Sequence, residues 1–408
     1  MAGNISKHFY QAVANKTCAD FHHPGKTCLQ AVQESAVAGL FGSLKFYLPL
    51  CILPLLFKIK QWNEKKTWKE FLINYCRCVF SGFFITTTGF WVFCMSYKIF
   101  KGFYLPLSVC LPSSLGAVFC GIMPKKFVHI DGIGLFNMYI EFIIKQSKQK
   151  SIVWLRNSLV GATCLYSFFN SVMIYYLYKI RSNRFWFVNI GNELKAIKRI
   201  ENDSGENIMN CGHETSCDEY LKKEFKNISL FAFGVSLFKL IFPRLSSIIK
   251  NPGNFMKNIF KKFDYGLLAF LIVSNGLFKF TFCRLNQYGK FSRDVNCLIA
   301  AFASSIGYVF YPRYIIFTMG ITSIIEVLYK YIEHTYVTQN KELPEIMKFI
   351  NRLPCSELLY MFSIGMTFQL RVIYPHLTNK FVHKMMSIGS GGRSDEVTKN
   401  YFKMMVGW

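Results

Sequence analysis

The chain has 408 residues, of which 52% are hydrophobic and only 17% are charged, and this aromatic-rich composition excludes disorder, while the length excludes a small disulfide scaffold. Soluble domains usually carry about 25% charged residues, so the chain has too little charge to cover a surface that faces water. Its 48 Lys and Arg outnumber 23 Asp and Glu, and a basic excess beside long apolar runs indicates a multi-pass membrane protein and not a nucleic-acid-binding protein.

Eight apolar stretches approach the roughly 20 residues that a transmembrane helix needs. They are 76–97, 105–123, 127–144, 152–178, 265–283, 296–312, 314–332 and 355–374. Two weaker stretches, 36–57 and 228–249, contain charged residues and Pro, which interrupts a helix, so we predict that they are interfacial or re-entrant amphipathic segments. With eight spans, Lys and Arg concentrate on one face, which the positive-inside rule places in the cytosol together with both termini. An arrangement of ten spans stays open.

An internal repeat is predicted from two similar stretches, SSLGAVF at 113–119 and SSIGYVF at 304–310, each followed by Pro, a basic residue and an intramembrane glutamate. We therefore expect an all-α polytopic membrane protein of two repeats, each with one amphipathic segment and four transmembrane helices. The predicted domains are a cytosolic Cys/His segment (1–35), a first membrane repeat (36–180), a polar loop with a second Cys/His cluster (181–226), a second membrane repeat (227–374) and a C-terminal tail (375–408). The Gly/Ser-rich part of the tail, 387–400, is expected to be mobile.

Small residues at helical spacing predict that helices approach one another closely. These residues are Gly116 with Cys120, Ala303 with Gly307, and Gly161 beside Ala162. The pattern indicates tight packing and no particular activity.

Cysteine and histidine cluster in the two polar stretches that precede the weak segments. The candidate metal ligands are Cys18, His22, His23 and Cys28 in the first cluster and Cys211, His213 and Cys217 in the second. Thiolate and imidazole are zinc ligands, and a structural site needs four of them. Because the spacing is not that of a standard zinc finger, local disulfide bonds and reduced cysteines remain alternatives, although a cytosolic location argues against disulfides. The other ten cysteines lie in or beside apolar segments and are interpreted as small hydrophobic residues.

Two glutamates, Glu141 and Glu326, lie at matched places in the predicted repeats. Ionisable residues inside a membrane are costly and tend to be functional, so both are candidates to line a polar pathway. The simpler interpretation pairs each carboxylate with the lysine four residues later, Lys145 or Lys330.

Basic residues near span ends have two expected roles. Lys279 and Arg371 are expected to extend their charged ends to the membrane surface. Lysines in the linkers suit an anionic leaflet, at about 1 kcal/mol for each basic residue near the surface, although plain positive-inside anchoring or recognition by an import receptor would use the same charges. The membrane-surface lysines are Lys58, Lys60, Lys65, Lys66, Lys261 and Lys262.

Motifs for catalysis do not occur in the sequence. It contains no GxSxG elbow, phosphate-binding loop, HExxH helix or dinucleotide fingerprint. We therefore predict that the protein is not an enzyme and assign no catalytic residue. A membrane enzyme with dispersed catalytic residues stays open.

The segment 18–30, CADFHHPGKTCLQ, and the following SLKFYLPL at 43–50 resemble the cysteine-rich start of the transmembrane protein 135 family, also called peroxisomal membrane protein 52. The runs CLIAAF at 297–302 and EVLY at 326–329 resemble that family's C-terminal region, and the resemblance covers most of the chain. The C-terminal half is also similar to the four-span fold of mitochondrial inner-membrane translocase channels. The central loop has fewer cysteines and the tail is shorter than in the family.

The resemblance implies a multi-pass protein of the mitochondrial and peroxisomal membranes that regulates mitochondrial fission and peroxisome organisation and is linked to lipid homeostasis. It implies partners in organelle division or import, besides the lipid bilayer and anionic headgroups. It supplies no catalytic residues. The alternative is a transporter or translocase-like pore for a lipid or metabolite, lined between the two repeats near the matched glutamates.

Overall fold

The computed structural model of the chain describes residues 10, 11, 13, 16–56, 62–104, 106–182, 186–194, 211, 213, 215–241 and 260–406. Every regular element among these residues is helical. Six helices in the described part of the chain are long and apolar enough to cross a membrane. The predicted class, a helical polytopic membrane protein, is therefore confirmed, while the internal repeat stays a prediction.

The α-helices are numbered in chain order. They are α1 (Cys18–His22), α2 (Cys28–Leu56), α3 (Lys65–Phe100), α4 (Leu111–Gly116), α5 (Lys125–Gln146), α6 (Lys150–Asn157), α7 (Leu159–Lys179), α8 (Cys217–Ile241), α9 (Tyr265–Tyr288), α10 (Arg293–Ser304), α11 (Tyr314–Thr338), α12 (Glu345–Arg352), α13 (Cys355–Ile373), α14 (Lys380–Gly389) and α15 (Arg393–Val406). A π-helix at Pro106–Cys110 leads into α4, and 3-10 helices follow α4 at Ala117–Ile122 and α10 at Ser305–Phe310.

The chain forms two compact units. Unit 1 contains residues 1–146 and 348–408, and unit 2 contains residues 147–347. These units do not coincide with the predicted repeats, because α7, assigned from sequence to the first repeat, packs on α10 and α11 in unit 2. In turn α13, assigned to the second repeat, packs on α5 in unit 1.

Candidate membrane spans agree with most of the predicted stretches. They are Cys28–Ile52, Lys65–Phe100, Lys125–Gln146, Leu159–Lys179, Tyr265–Tyr288 and Tyr314–Thr338. The first of these corrects the sequence prediction, since α2 continues through Pro49 and Pro54 instead of breaking there. It packs along α3, whose Tyr75 hydroxyl donates to the Leu44 carbonyl at 3.0 Å, so tertiary packing outweighs the proline penalty.

Four other predicted spans differ from the structure. The stretch 355–374 forms α13, which is not among the six candidate spans. The stretches 105–123 and 296–312 are not continuous membrane helices, because each is a short α-helix followed by a 3-10 helix. The stretch 152–178 is divided at Ser158, whose hydroxyl accepts the Gly161 N–H at 3.0 Å and starts α7. The weak stretch 228–249 lies partly in α8, which is not among the six candidate spans, and its residues 242–249 lie outside the described residues.

The C-terminal tail is structured, so the expectation of a mobile segment at 387–400 is wrong. Helices α14 and α15 occupy most of it. Val382, Met386, Val397 and Tyr401 are buried in the core of unit 1, where apolar burial outweighs the flexibility of the Gly/Ser turn.

Close packing in unit 1 depends on a glycine where the end of α4 crosses α3. A Cβ on Gly116 would lie 2.7 Å from the Ile85 carbonyl oxygen and 2.8 Å from the Gly89 nitrogen, both backbone atoms. A Cβ on Gly89 would meet nothing nearer than the Pro112 carbonyl oxygen at 3.9 Å. The predicted close approach at Gly116 is therefore confirmed, whereas Gly161 faces the Trp154 ring of the preceding helix α6.

The two glycines at this crossing provide a matched test of that packing. Gly116→Ala should lower the free energy of unfolding by about 1–3 kcal/mol, because backbone must move apart to admit the methyl group. Gly89→Ala should be neutral or stabilising by up to about 1 kcal/mol, as expected for alanine inside a helix. Chemical denaturation in mild detergent, followed by circular dichroism, compares them, and equal losses would contradict the proposed contact.

Candidate functional sites

The first Cys/His cluster brings the N-terminal segment onto helix α3. Ligand atoms of Cys18, His23, Cys28 and Cys94 all lie within 4.8 Å of one another. The Cys18 Sγ is 3.4 Å from the His23 Nε2 and 3.6 Å from the Cys94 Sγ, and the Cys94 Sγ is 3.6 Å from the His23 Nε2. The Cys18 thiol donates to Cys94, and this hydrogen bond, with burial, raises the pKa of Cys18.

Local chain geometry explains how residues so close in sequence converge. The Thr17 hydroxyl accepts the Asp20 N–H, and the Asp20 carboxylate accepts from the Thr17 N–H, which forms a capping box that starts α1 at Cys18. Gly25 then adopts φ +73°, a left-handed conformation that favours glycine and turns the chain toward α2. The His23 Nδ1 lies 2.8 Å from the Lys26 carbonyl oxygen, so the Nε2 faces the thiols.

His22, predicted as a candidate ligand, is not part of the cluster. Its ring is buried against Phe21 and Phe93, at centroid distances of 4.6 Å and 4.3 Å, and neither ring nitrogen has a hydrogen-bond partner among the described residues. Burial lowers the pKa of His22 to about 3, so the imidazole is neutral. Helix α1 ends at His22, so the two neighbouring histidines point in different directions. The His22 ring lies in the apolar core, and the His23 ring faces the thiols.

The second cluster has the same composition and lies in unit 2. Ligand atoms of Cys211, His213, Cys217 and Cys283 all lie within 4.8 Å of one another. The His213 Nε2 is 3.4 Å from the Cys283 Sγ, and the Cys211 Sγ is 3.7 Å from Cys217 and 3.9 Å from Cys283. The Cys283 thiol donates to Cys211 and lowers the pKa of Cys211 to about 6.

The fourth member of each cluster was not predicted from the sequence. Cys94 in α3 and Cys283 in α9 were interpreted as small hydrophobic residues, but their sulfurs complete the two sets. Each is about one turn or two from the end of its apolar helix. Each of these two cysteines is followed within four residues by a basic residue near the end of a predicted span. These matched positions are the only sequence feature that could have identified the two cysteines as cluster members. All fourteen cysteines are free thiols, so neither cluster contains a disulfide bond.

The two intramembrane glutamates form the lysine pairs of the simpler interpretation. The Glu141 Oε1 lies 2.6 Å from the Lys145 Nζ, and its Oε2 accepts a hydrogen bond from Asn379. The Glu326 Oε1 lies 3.7 Å from the Lys330 Nζ. Pairing with a lysine one turn away lowers the cost of placing each carboxylate in a membrane helix.

Lys279 does not extend to the surface, which corrects the sequence prediction. Its side chain is 3% exposed, and its Nζ lies 2.9 Å from both the Glu193 Oε1 and the Glu224 Oε2. Tyr220 also donates to the Glu193 Oε1. Burial without a partner would be prohibitive for an ammonium group, and the two carboxylates compensate its charge.

The segment that supplies Glu193 was predicted to be part of a polar loop, yet residues 186–194 enter the core of unit 2. Trp186, Val188, Ile190 and Leu194 are buried there. The Trp186 indole donates to the Asn170 side chain at 2.7 Å, which ties the segment to α7. This insertion explains why Lys279 finds an anion inside the unit.

Arg371 is likewise buried, at 2% exposure, so its predicted extension to the surface is wrong as well. Its guanidinium donates to Ser394, 2.6 Å away, and to the Asp395 carboxylate, and it contacts the His383 ring. These partners lie in the C-terminal tail, so the arginine helps to hold the tail on α13 in unit 1.

The described membrane-surface lysines are exposed. Lys65 and Lys66 lie in the first turn of α3, and Lys261 and Lys262 lie shortly before α9. A cation in the first turn of a helix opposes the helix dipole, so helix stability does not explain the first pair. The other two residues of the prediction, Lys58 and Lys60, lie outside the described residues.

Unit 1 also contains a partly open cavity of ≈ 310 Å³. Its walls come from α2, α3, α4, α5, α13, α14 and α15 and are mainly aromatic and aliphatic. Asp131 is the acidic residue in this lining. Ser43 contributes a buried hydroxyl with no hydrogen-bond partner among the described residues. This site was not predicted from the sequence because its residues come from seven separate helices.

Comparison with known proteins adds no relative: no protein-family model, curated protein or solved structure matches the chain.

Two lysines paired with glutamate provide a test of the buried charge network in unit 2. Lys279→Met should lower the free energy of unfolding by about 3–5 kcal/mol, because two buried carboxylates lose their cation. Lys330→Met should change it by about 1 kcal/mol or less, because the Lys330 side chain is half exposed. Both are measured by denaturation in mild detergent, and similar effects for the two variants would contradict the assigned role of Lys279.

Proposed function

We propose that the protein is a multi-pass membrane protein of mitochondria and peroxisomes that acts in mitochondrial fission and peroxisome organisation. We further propose that it contributes to lipid homeostasis by binding a lipid in the cavity of unit 1. The sequence resemblance supports the organelles and the processes. The single observation that supports lipid binding is an apolar cavity whose lining contains one carboxyl group, that of Asp131.

The size and lining of the cavity suit an amphipathic ligand. Ligand pockets usually measure about 300–1,000 Å³ and combine apolar walls with a few polar groups, and the volume of ≈ 310 Å³ falls at the lower end of that range. Phe90, Met138, Ile364 and Phe368 would contact an apolar chain. A molecule with an apolar body and one polar end fits this lining.

The polar groups define the kind of head that the cavity would accept. Asp131 in apolar surroundings is costly unless it receives a hydrogen bond or faces a positive charge. The Ser43 hydroxyl, which has no hydrogen-bond partner among the described residues, offers a second polar contact. We therefore propose a lipid whose polar end donates a hydrogen bond, such as a hydroxyl or amino group.

The exposed lysines fit a role at the membrane surface. Lys65 and Lys66 stand at the start of α3, next to Trp62 and Trp68, whose rings are 6.4 Å apart and partly exposed. Lysine with tryptophan is typical of the membrane interface, where anionic headgroups attract basic residues. This arrangement supports contact with anionic lipid at one end of α3.

Filling the cavity tests the proposal. A Cβ on Gly134, in the cavity wall, has open space around it, so Gly134→Leu should place an apolar side chain at the cavity and reduce its volume. We expect lipid copurifying with the protein, measured by mass spectrometry of extracts, to fall at least tenfold. Asp131→Asn should weaken binding of lipids with an amino head more than of those with a hydroxyl head.

The matched control is Gly234→Leu in α8 of unit 2, another helical glycine with open space around its Cβ. It should leave bound lipid unchanged. Unchanged lipid content in Gly134→Leu would contradict lipid binding, and normal mitochondrial and peroxisomal morphology in cells that lack the protein would contradict the proposed processes. Flux through reconstituted vesicles that Glu326→Gln abolishes would favour the pore instead.

A further inference from the structure

We propose that each unit holds one structural zinc ion in a closed site of three cysteines and one histidine. The ligands are Cys18, His23, Cys28 and Cys94 in unit 1, and Cys211, His213, Cys217 and Cys283 in unit 2. The two ions go beyond the proposed lipid role and do not depend on it.

The distances between ligand atoms match a tetrahedral zinc site. With Zn–S of about 2.3 Å and Zn–N of about 2.0–2.1 Å, tetrahedral angles separate two sulfurs by about 3.8 Å and a sulfur from a nitrogen by about 3.6 Å. Three of the S–S distances are 3.6 Å, 3.7 Å and 3.9 Å, three of the S–N distances are 3.4 Å, 3.6 Å and 3.4 Å, and every other pair of ligand atoms within a cluster lies within 4.8 Å. A disulfide would instead need sulfurs about 2.05 Å apart.

Both histidines are oriented as zinc ligands usually are. In unit 1 the His23 Nδ1 is 2.8 Å from the Lys26 carbonyl oxygen, and in unit 2 the His213 Nδ1 is 2.8 Å from the Thr215 carbonyl oxygen. A carbonyl acceptor fixes the proton on Nδ1 and leaves the Nε2 lone pair for a metal. In each cluster the Nε2 is the nitrogen that faces the sulfurs.

The donor set favours zinc over harder ions. Calcium and magnesium prefer oxygen ligands, whereas three thiolates and an imidazole form a standard structural zinc set. Each zinc would displace the protons of three thiols and leave a complex of charge −1. Lys98 lies one helical turn after Cys94, and Arg284 directly follows Cys283, so a basic residue is close in sequence to each site.

Metal binding would link distant parts of each unit. Cys94 lies 76 residues after Cys18, and Cys283 lies 72 residues after Cys211. One ion would therefore fix a polar segment to the end of a long apolar helix. Since closing such long loops constrains the unfolded chain, loss of metal should also destabilise the unit.

Metal content of the full chain, purified in mild detergent after expression in zinc-supplemented medium, tests the proposal. Elemental mass spectrometry should find two zinc ions per wild-type chain. Cys94→Ser and Cys283→Ser should each reduce this to one, and the double variant should reduce it to none. Cys76→Ser, an exposed cysteine on the same helix as Cys94, should retain two.

The neighbouring histidines add a second matched comparison. His23→Asn should lose one zinc, whereas His22→Phe should retain both, because the His22 ring packs among phenylalanines. If a ligand variant does not fold, the wild-type chain still decides. Cobalt replacing zinc should give the visible absorption of tetrahedral thiolate coordination. Absence of metal, a disulfide found by thiol counting, or iron in place of zinc would each overturn the proposal.

Discussion

The arrangement of both units depends on how a polar segment is held against an apolar helix. Hydrophobic packing alone does not hold a polar segment against an apolar membrane helix, so specific polar contacts are needed to hold it there. In each unit three thiols and one imidazole converge near the end of a long apolar helix, α3 in unit 1 and α9 in unit 2. The first residues of α2 and α8, Cys28 and Cys217, belong to these clusters.

Buried charge is the second constraint. In both units a buried basic side chain pairs with a carboxylate from a segment outside the candidate membrane helices. Lys279 obtains Glu193 from an inserted connecting segment, and Arg371 obtains Asp395 from the C-terminal tail. Such pairs contribute little net stability compared with apolar residues, but removing one partner is strongly destabilising. Segments that look like loops in sequence therefore become parts of the core.

Sequence periodicity and composition predicted the helical membrane class and the positions of most long helices, because a run of apolar residues is a local property. The two clusters were predicted only in part. His22 and His23 are equivalent in sequence, and only the packing of α1 shows which ring enters the apolar core. Cys94 could not be assigned, since its partner Cys18 lies 76 residues away. The cavity was missed for the same reason, as Asp131 meets residues of α13 only in three dimensions.

Zinc K-edge X-ray absorption of the purified wild-type chain tests most directly whether the clusters hold the polar segments through metal. We expect each zinc ion to be coordinated by three sulfurs at about 2.3 Å and one nitrogen at about 2.0–2.1 Å. A shell of nitrogen and oxygen alone would contradict it, because zinc would then be bound elsewhere and the thiols would not be its ligands.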